Sequence, residues 1–263
     1  DEVDGWSTAN LVGTEEADFF VGGSGIDKIM GGAGSDTIDG YGGADIIYSG
    51  YNDDYVYGGS GDDRLNTGKG NDKVYGGAGI DTIYAGDGKD KLYGNEGADI
   101  LVGGFGADTI ITGTGADLIK ISAGESPAAY ASGYPSTSAH DSIGDFTTGA
   151  SEDRVSYEKA FSIVQSETTT PNKGSAAISS QGIATFAADD DTLSEKIYAV
   201  NSGINTGIEK AGAVAAFQHG SNAFLFIHDG FTALGVTDSL IRLEGLDLTS
   251  KSLNISNDLL TIV

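Results

Sequence analysis

The chain has 263 residues, with 42 glycines, no cysteine, and 39 acidic against 14 basic residues for a formal charge of −25. That surplus of acid disfavours nucleic acid and anionic membranes as partners and favours bound cations. Disulfides cannot hold this fold together, and no apolar run reaches the length of a membrane span.

Residues 1–12 are expected to form a lead-in or cap strand. The opening Asp1-Glu2-Val3-Asp4-Gly5-Trp6 is no signal peptide and lacks a starting Met, so a fragment or a processed chain is expected. From Gly13 to Lys120 the sequence falls into twelve nine-residue units. The sixth place of each is aspartate: Asp18, Asp27, Asp36, Asp45, Asp54, Asp63, Asp72, Asp81, Asp90, Asp99, Asp108 and Asp117. The eighth place is always apolar: Phe20, Ile29, Ile38, Ile47, Val56, Leu65, Val74, Ile83, Leu92, Leu101, Ile110 and Ile119. Glycine holds the fourth place in ten of the twelve units, so three residue classes stay in phase together.

The unit is nearly ideal in Gly31-Gly32-Ala33-Gly34-Ser35-Asp36-Thr37-Ile38-Asp39. Its glycine-rich half predicts a turn, and its last three residues predict a short strand with one inward apolar side chain. Two units then make one 18-residue coil, and twelve units make six coils of a parallel solenoid. Asn52 stands where the fourth glycine is expected and is the residue best able to take its left-handed backbone. Glu16 is less able to, so the first unit reads as a degenerate cap.

One apolar side chain per unit is a thin core for 108 ordered residues. Aspartates that recur every 18 residues also stack like charges along each edge. A hard divalent cation held by carboxylates and backbone carbonyls would relieve both problems, and calcium suits a flexible oxygen cage better than magnesium. Single Asp-Gly turns would need no ion; twelve in phase are a different matter.

The GGxGxDxUx unit resembles the RTX (repeats-in-toxin) family of bacterial proteins secreted by type I systems. The resemblance implies a parallel β-roll with calcium between the turns of successive coils. One edge would carry Asp18, Asp36, Asp54, Asp72, Asp90 and Asp108, and the other Asp27, Asp45, Asp63, Asp81, Asp99 and Asp117. The glycine carbonyls expected to complete the sites are those of Gly23, Gly25, Gly32, Gly34, Gly59, Gly61, Gly68, Gly70, Gly77, Gly79, Gly86, Gly88, Gly104 and Gly106. Five gaps on each of two edges give room for up to ten Ca²⁺.

Places seven and nine face outward. One sheet carries Phe19, Tyr55, Tyr57, Tyr75 and Tyr93, the last three at the 18-residue period; the other carries Ile46, Tyr48, Tyr84, Ile100, Val102 and Leu118. Such faces fit a strand-stabilising aromatic ladder or a docking surface equally well.

Residues 122–140, rich in Ala, Ser and Gly, read as a loop or linker, and residues 141–263 as a β-rich α+β capping and secretion-signal domain. Asp141-Ser142-Ile143-Gly144-Asp145-Phe146 with Asp153 resembles the capping segment that follows RTX arrays, where Asp141, Asp145 and Asp153 could hold a further ion. Leu193, Ile197 and Val200 predict a short helix after Asp189-Asp190-Asp191, a run that could ligate calcium but more often simply complements the N-terminal dipole of such a helix. Thr206 and Glu209 predict a second helix ending near Gly220. Ala223–Gly230 and Asp238–Gly245 read as paired strands and Asp258–Val263 as a last strand, an ending similar to type I-secreted surface-layer proteins and adhesins.

No HExxH, GxSxG or GK[ST] motif and no cysteine nucleophile occurs, and His140, His219 and His228 lack ligand spacing. The expected role is a non-enzymatic, calcium-dependent structural and secretion module of an extracellular bacterial surface protein. The alternative is the RTX tail of a secreted enzyme or large adhesin. Expected partners are calcium, the type I secretion apparatus and, through the outward faces, self-association or a cell-surface polysaccharide.

Overall fold

The computed structural model describes residues 10–121 continuously. Beyond them it describes 130–131, 134–135, 141–146, 153–157, 162–163, 176–178, 183–186, 196, 200, 213–228, 239–249, 251, 253–256 and 259–262. The chain divides into two compact units, Asp1–Lys120 with Ser151–Asp153, and Ile121–Ala150 with Arg154–Val263.

In the first unit, strands β1 (Asn10–Val12), β3 (Lys28–Ala33), β5 (Ile46–Tyr51), β7 (Arg64–Lys69), β9 (Thr82–Gly88), β11 (Ile100–Gly106) and β13 (Leu118–Ile121) lie side by side in that order. Strands β2 (Phe19–Val21), β4 (Thr37–Asp39), β6 (Tyr55–Ser60), β8 (Lys73–Ala78), β10 (Lys91–Glu96) and β12 (Thr109–Thr114) form the second row. Every pair in both rows is parallel. The register is always 18, as in Ile29↔Ile47↔Leu65↔Ile83 and Ile38↔Val56↔Val74↔Leu92. The twelve eighth-place side chains are all buried and form the core between the two sheets. A six-coil parallel β-solenoid therefore stands where the nine-residue period places it.

Two details differ from the sequence reading. Most strands run six or seven residues rather than three, extending through places one to three of the next unit. Glycine makes this possible, because without side chains the turn residues can continue the ladder, as in Gly32↔Gly50 and Gly50↔Gly68. Asn52 takes the left-handed region as expected (φ 79°), but so do Tyr41 (φ 70°) and Asn95 (φ 76°) at second places where glycine is usual. Glu16 does not, in keeping with an atypical first unit.

The second unit contains β21 (Ala213–His219) and β22 (Asn222–His228), an antiparallel hairpin paired along seven residues. On β22 lies β23 (Ser239–Leu243), antiparallel, which pairs in turn with β16 (Asp141–Ile143), parallel. Arg242 of β23 ties this last pair together, donating to Ser142 Oγ at 3.0 Å and to Glu244 at 2.8 Å. A second set joins β17 (Arg154–Tyr157), β25 (Leu259–Ile262) and β24 (Leu253–Ser256), all antiparallel. Short pairs β14 (Tyr130–Ala131) with β15 (Tyr134–Pro135) and β19 (Ala176–Ile178) with β20 (Ala184–Phe186), and β18 (Ser162–Ile163) lying parallel on β21, are the remaining described strands.

The expected strand pair near 223–245 and the last strand are present. The helix expected to end near Gly220 is overturned by β21: alanine-rich Ala213–Phe217 is buried along its length, and its ladder to β22 outweighs helix propensity. Gly220, with φ 61°, turns the hairpin instead of ending a helix. Thr206, Glu209, Leu193, Ile197 and the Asp189–Asp191 run lie outside the described residues; Lys196 and Val200 are helical. Most of 122–140 also lies outside them. Among the described residues no helix is long and apolar enough to cross a membrane.

Candidate metal centre

Each sixth-place aspartate follows a glycine-rich turn and precedes a strand, so it sits where the chain enters the sheet. Its carboxylate points inward. From Asp27 to Asp117 the relevant side chains are 0–2% exposed. Successive coils are linked through these carboxylates: the backbone N–H of each aspartate donates to Oδ1 of the aspartate 18 residues later. Ten such bonds, from Asp18→Asp36 to Asp99→Asp117, measure 2.7–2.9 Å. The two six-membered edges expected from the sequence are thus brought together by hydrogen bonds as well as by spacing.

The ladder does not stop at Asp117. Its N–H donates to Asp153 Oδ1 at 3.1 Å, and Thr112 Oγ1 donates to Asp153 Oδ2 at 3.2 Å. The strict period would put this acceptor at residue 135, which is proline. Asp153 supplies the missing carboxylate from 36 residues further on, a role the spacing alone could not reveal. Asp141 lies on β16 and is buried, and no cluster of three acidic or histidine side chains gathers among the described residues.

The second oxygens are the chemically revealing ones. Oδ2 of Asp36, Asp45, Asp54, Asp63, Asp72, Asp81, Asp90, Asp99 and Asp117 is buried and accepts no hydrogen bond. In the first coil the matching oxygens turn onto their own loops, with Thr14 N–H and Gly23 N–H each donating at 2.7 Å. A buried carboxylate oxygen without a donor is costly unless a cation or a proton meets it.

The turns beside these oxygens are lined with backbone carbonyls. At the fourth place the carbonyl of one coil points at the fourth-place Cα of the next, in the series Gly25, Gly43, Gly61, Gly79, Gly97 and Gly115. At the second place Gly32, Gly50, Gly68, Gly86 and Gly104 repeat the arrangement. A Cβ on Gly58 would come within 2.5 Å of both the Gly76 carbonyl and Asp63 Oδ2, so glycine there is dictated by close approach. Carboxylate and carbonyl oxygens without nitrogen or sulfur are the donor set of a hard cation such as Ca²⁺.

Four first places carry side chains instead of glycine: Ser49, Thr67, Ala85 and Thr112, all fully buried. Three of them form one column at the 18-residue period. Ser49 Oγ donates to the Thr67 carbonyl at 3.2 Å, and Thr67 Oγ1 to the Ala85 carbonyl at 3.0 Å. These coils gain links that need no ion. Thr67→Val keeps the shape and removes one such bond, so it should cost about 1 kcal/mol, read as a shift of the calcium midpoint of folding to higher concentration. An unchanged midpoint would show that the hydroxyl contributes nothing.

Burial is the main reason these carboxyls hold their protons strongly. It pushes Asp45, Asp54 and Asp72 up to about 6 and Asp63, Asp81, Asp90 and Asp117 up to about 7. The N–H of the preceding coil pulls each value down, and for most a neighbouring carboxylate pushes it up again. The folded values lie above the ordinary 3.8, so protonation favours the metal-free fold. Stability of the metal-free roll should therefore rise as pH falls through 7 and 6 towards 4, where protons replace cations on the buried oxygens. In chelator, circular dichroism should show sheet gained between pH 8 and about 4.5. A chain equally unstructured at both would refute the burial of these groups.

Residues 12–47, 48–83 and 84–119 each match the RTX calcium-binding nonapeptide repeat, a family model of four copies. The array is an RTX β-roll. Its repeats are calcium-binding repeats, and they build a structural solenoid. The RTX roll occupies the stretch in which the aspartate and carbonyl ladders occur. Two solution structures of mannuronan C5-epimerase subunits from Azotobacter vinelandii are similar to the chain. The AlgE6R2 subunit is 20% identical, with 73% of this chain and 84% of that one covered at a TM-score of 0.31. The AlgE6R3 subunit is 19% identical, with 89% and 73% covered at a TM-score of 0.20. Comparison with curated proteins gives no match.

Proposed function

We propose that the roll is a calcium-operated folding module of an extracellular bacterial surface protein, exported by a type I system. The observation that carries this reading is the row of buried Oδ2 atoms without donors, set among the backbone carbonyls of close-packed, glycine-rich turns. Calcium is held in the gaps between coils by the sixth-place aspartates and the second- and fourth-place carbonyls. Inside the cell, where free calcium is low, charge repulsion among 39 acids keeps the chain open and fit for passage through a secretion channel. Outside, calcium fills the gaps and folding follows by mass action. The 141–263 region serves as cap and export signal.

Two edges of six aspartates leave five gaps each, so about ten ions should bind. Native mass spectrometry of the calcium-loaded chain tests this count; fewer than about four ions would mean that most gaps are closed by protein alone. Ten Ca²⁺ would bring the formal charge of −25 to about −5, lowering self-repulsion between copies. A surface-layer role predicts ordered sheets on adding calcium, seen by electron microscopy; a strictly monomeric loaded chain would favour a secreted-enzyme tail or an adhesin.

A further inference from the structure

The two outer faces of the roll are chemically unequal. On the even-numbered sheet the ninth-place tyrosines occupy consecutive coils and stack on one another: Tyr57 on Tyr75 at 4.8 Å and Tyr75 on Tyr93 at 4.5 Å. Lys73 Nζ lies 5.1 Å from the Tyr75 ring centroid. That ladder is complete in itself. On the odd-numbered sheet the same column reads Tyr48↔Asn66↔Tyr84, so the middle rung is missing. Tyr48 and Tyr84 are 47% and 43% exposed, and neither has a ring contact among the described residues.

Between them lies a notch of about 340 Å³ lined by Tyr48, Arg64, Asn66, Thr82, Tyr84 and Ile100. That volume is at the small end of ligand pockets. The two tyrosines are separated by two strand spacings, about 9.5 Å. A flat aromatic guest touching both walls would need only about 7 Å, two contacts of about 3.5 Å. A puckered saccharide ring, thickened by its axial hydrogens, fills the wider gap. It offers C–H groups to the ring faces and hydroxyls to Asn66 and Thr82.

Charge then selects among saccharides. At places seven and nine the odd-numbered strands from Lys28 to Lys120 hold no Asp or Glu, whereas Lys28, Arg64 and Lys120 stand there; the exposed Asp87 further along β9 is paired with Lys69. In a chain of charge −25 this is a locally basic face. The Arg64 guanidinium, at the edge of the notch, forms no ion pair or side-chain hydrogen bond among the described residues. Its fork of donors matches a carboxylate on a guest ring.

We infer that the notch between Tyr48 and Tyr84 binds one acidic pyranose of an anionic polysaccharide, with the sugar ring between the tyrosines and its carboxylate on Arg64. This rests on the roll being folded outside the cell, and it names the polymer that the folded surface would hold.

Titration calorimetry of the calcium-saturated chain against tetragalacturonate, cellotetraose and hexaglutamate tests the assignment. Circular dichroism recorded first shows whether the roll is folded, so a failure of calcium-driven folding is distinguished from a failure to bind sugar. Tetragalacturonate should bind about tenfold more tightly than cellotetraose, the worth of one charge-assisted contact, and hexaglutamate should bind weakly. Tyr84→Ser and Arg64→Gln, both on the surface, should each weaken binding about tenfold, while Tyr75→Ser on the opposite sheet leaves it unchanged. Equal binding of acidic and neutral sugars, equal binding of hexaglutamate, or indifference to both notch variants in a folded roll would overturn the proposal. So would a concentration-dependent dimer abolished by Tyr84→Ser without any sugar bound, which would give the face to a second copy.

Discussion

Asp81→Ala should raise the calcium concentration at the folding midpoint by more than about tenfold, or abolish folding of the roll at any accessible calcium concentration. Two losses combine at this one position. Asp81 Oδ1 accepts the Asp63 N–H at 2.8 Å, and without it a fully buried donor is orphaned, at a cost of about 1–3 kcal/mol. Oδ2 is buried and accepts no hydrogen bond, and in the proposed site it is the oxygen that would meet the ion, so its removal would take both ligand and charge from the gap. Asp87→Ala is the matched control six residues further along the chain, on β9. Asp87 pairs with Lys69 at 2.9 Å on the surface, where a solvent-screened salt bridge contributes little. Calcium titrations followed by circular dichroism should therefore leave Asp87→Ala near the parent and displace Asp81→Ala far from it. Comparable midpoints for the two variants would show that the inward aspartates are not special.

Gly61→Ala should be as damaging through a different cause. Its φ is 122°, where an L side chain is strained by about 1–3 kcal/mol, and its Cβ would overlap the Gly43 carbonyl in the coil before it. That obstacle is backbone held on both sides, so the cost should exceed about 4 kcal/mol, and the roll should fail to close around residues 43–61. Gly220→Ala separates strain from contact. Gly220 has φ 61° with nothing within 4 Å of an added Cβ, so this variant should lose only about 1–2 kcal/mol. Thermal unfolding of both variants in saturating calcium checks the contrast; similar losses would mean that inter-coil approach is looser than the structure has it.

The roll was legible because its two determinants are local and periodic. An apolar residue two places after each aspartate fixes which side chain enters the core, and the nine-residue spacing fixes the 18-residue register. Asn52 could be read as a left-handed turn residue from its side chain alone. Asn95 carries the same signal, whereas Tyr41 does not, since the ladders on both sides hold its backbone against ordinary preference. The inward role of Ser49, Thr67 and Ala85 left a trace, their recurrence at the 18-residue period, but its meaning depends on knowing that first places face the core. Asp153 could be read only as a member of the capping segment; its bond to Asp117 could not, because the strict period points to Pro135 instead. In the second unit the short apolar runs of β22 and β23 were readable as strands, whereas β21 carried helix-favouring alanines whose burial against β22 decides the outcome. Leu253–Ser256 is too short to announce itself without its partner Leu259–Ile262.

The central claim is that the fold waits for the ion, since a thin core and rows of buried carboxylate oxygens leave the metal-free roll at a loss near neutral pH. Calcium titration of the chelator-treated chain at pH 7.5, followed by far-ultraviolet circular dichroism, tests it most directly. The account predicts a disordered spectrum in chelator and a cooperative rise of sheet signal over a narrow span of calcium, reversed by adding chelator again. A full sheet spectrum already present in chelator, unchanged on adding calcium, would contradict it.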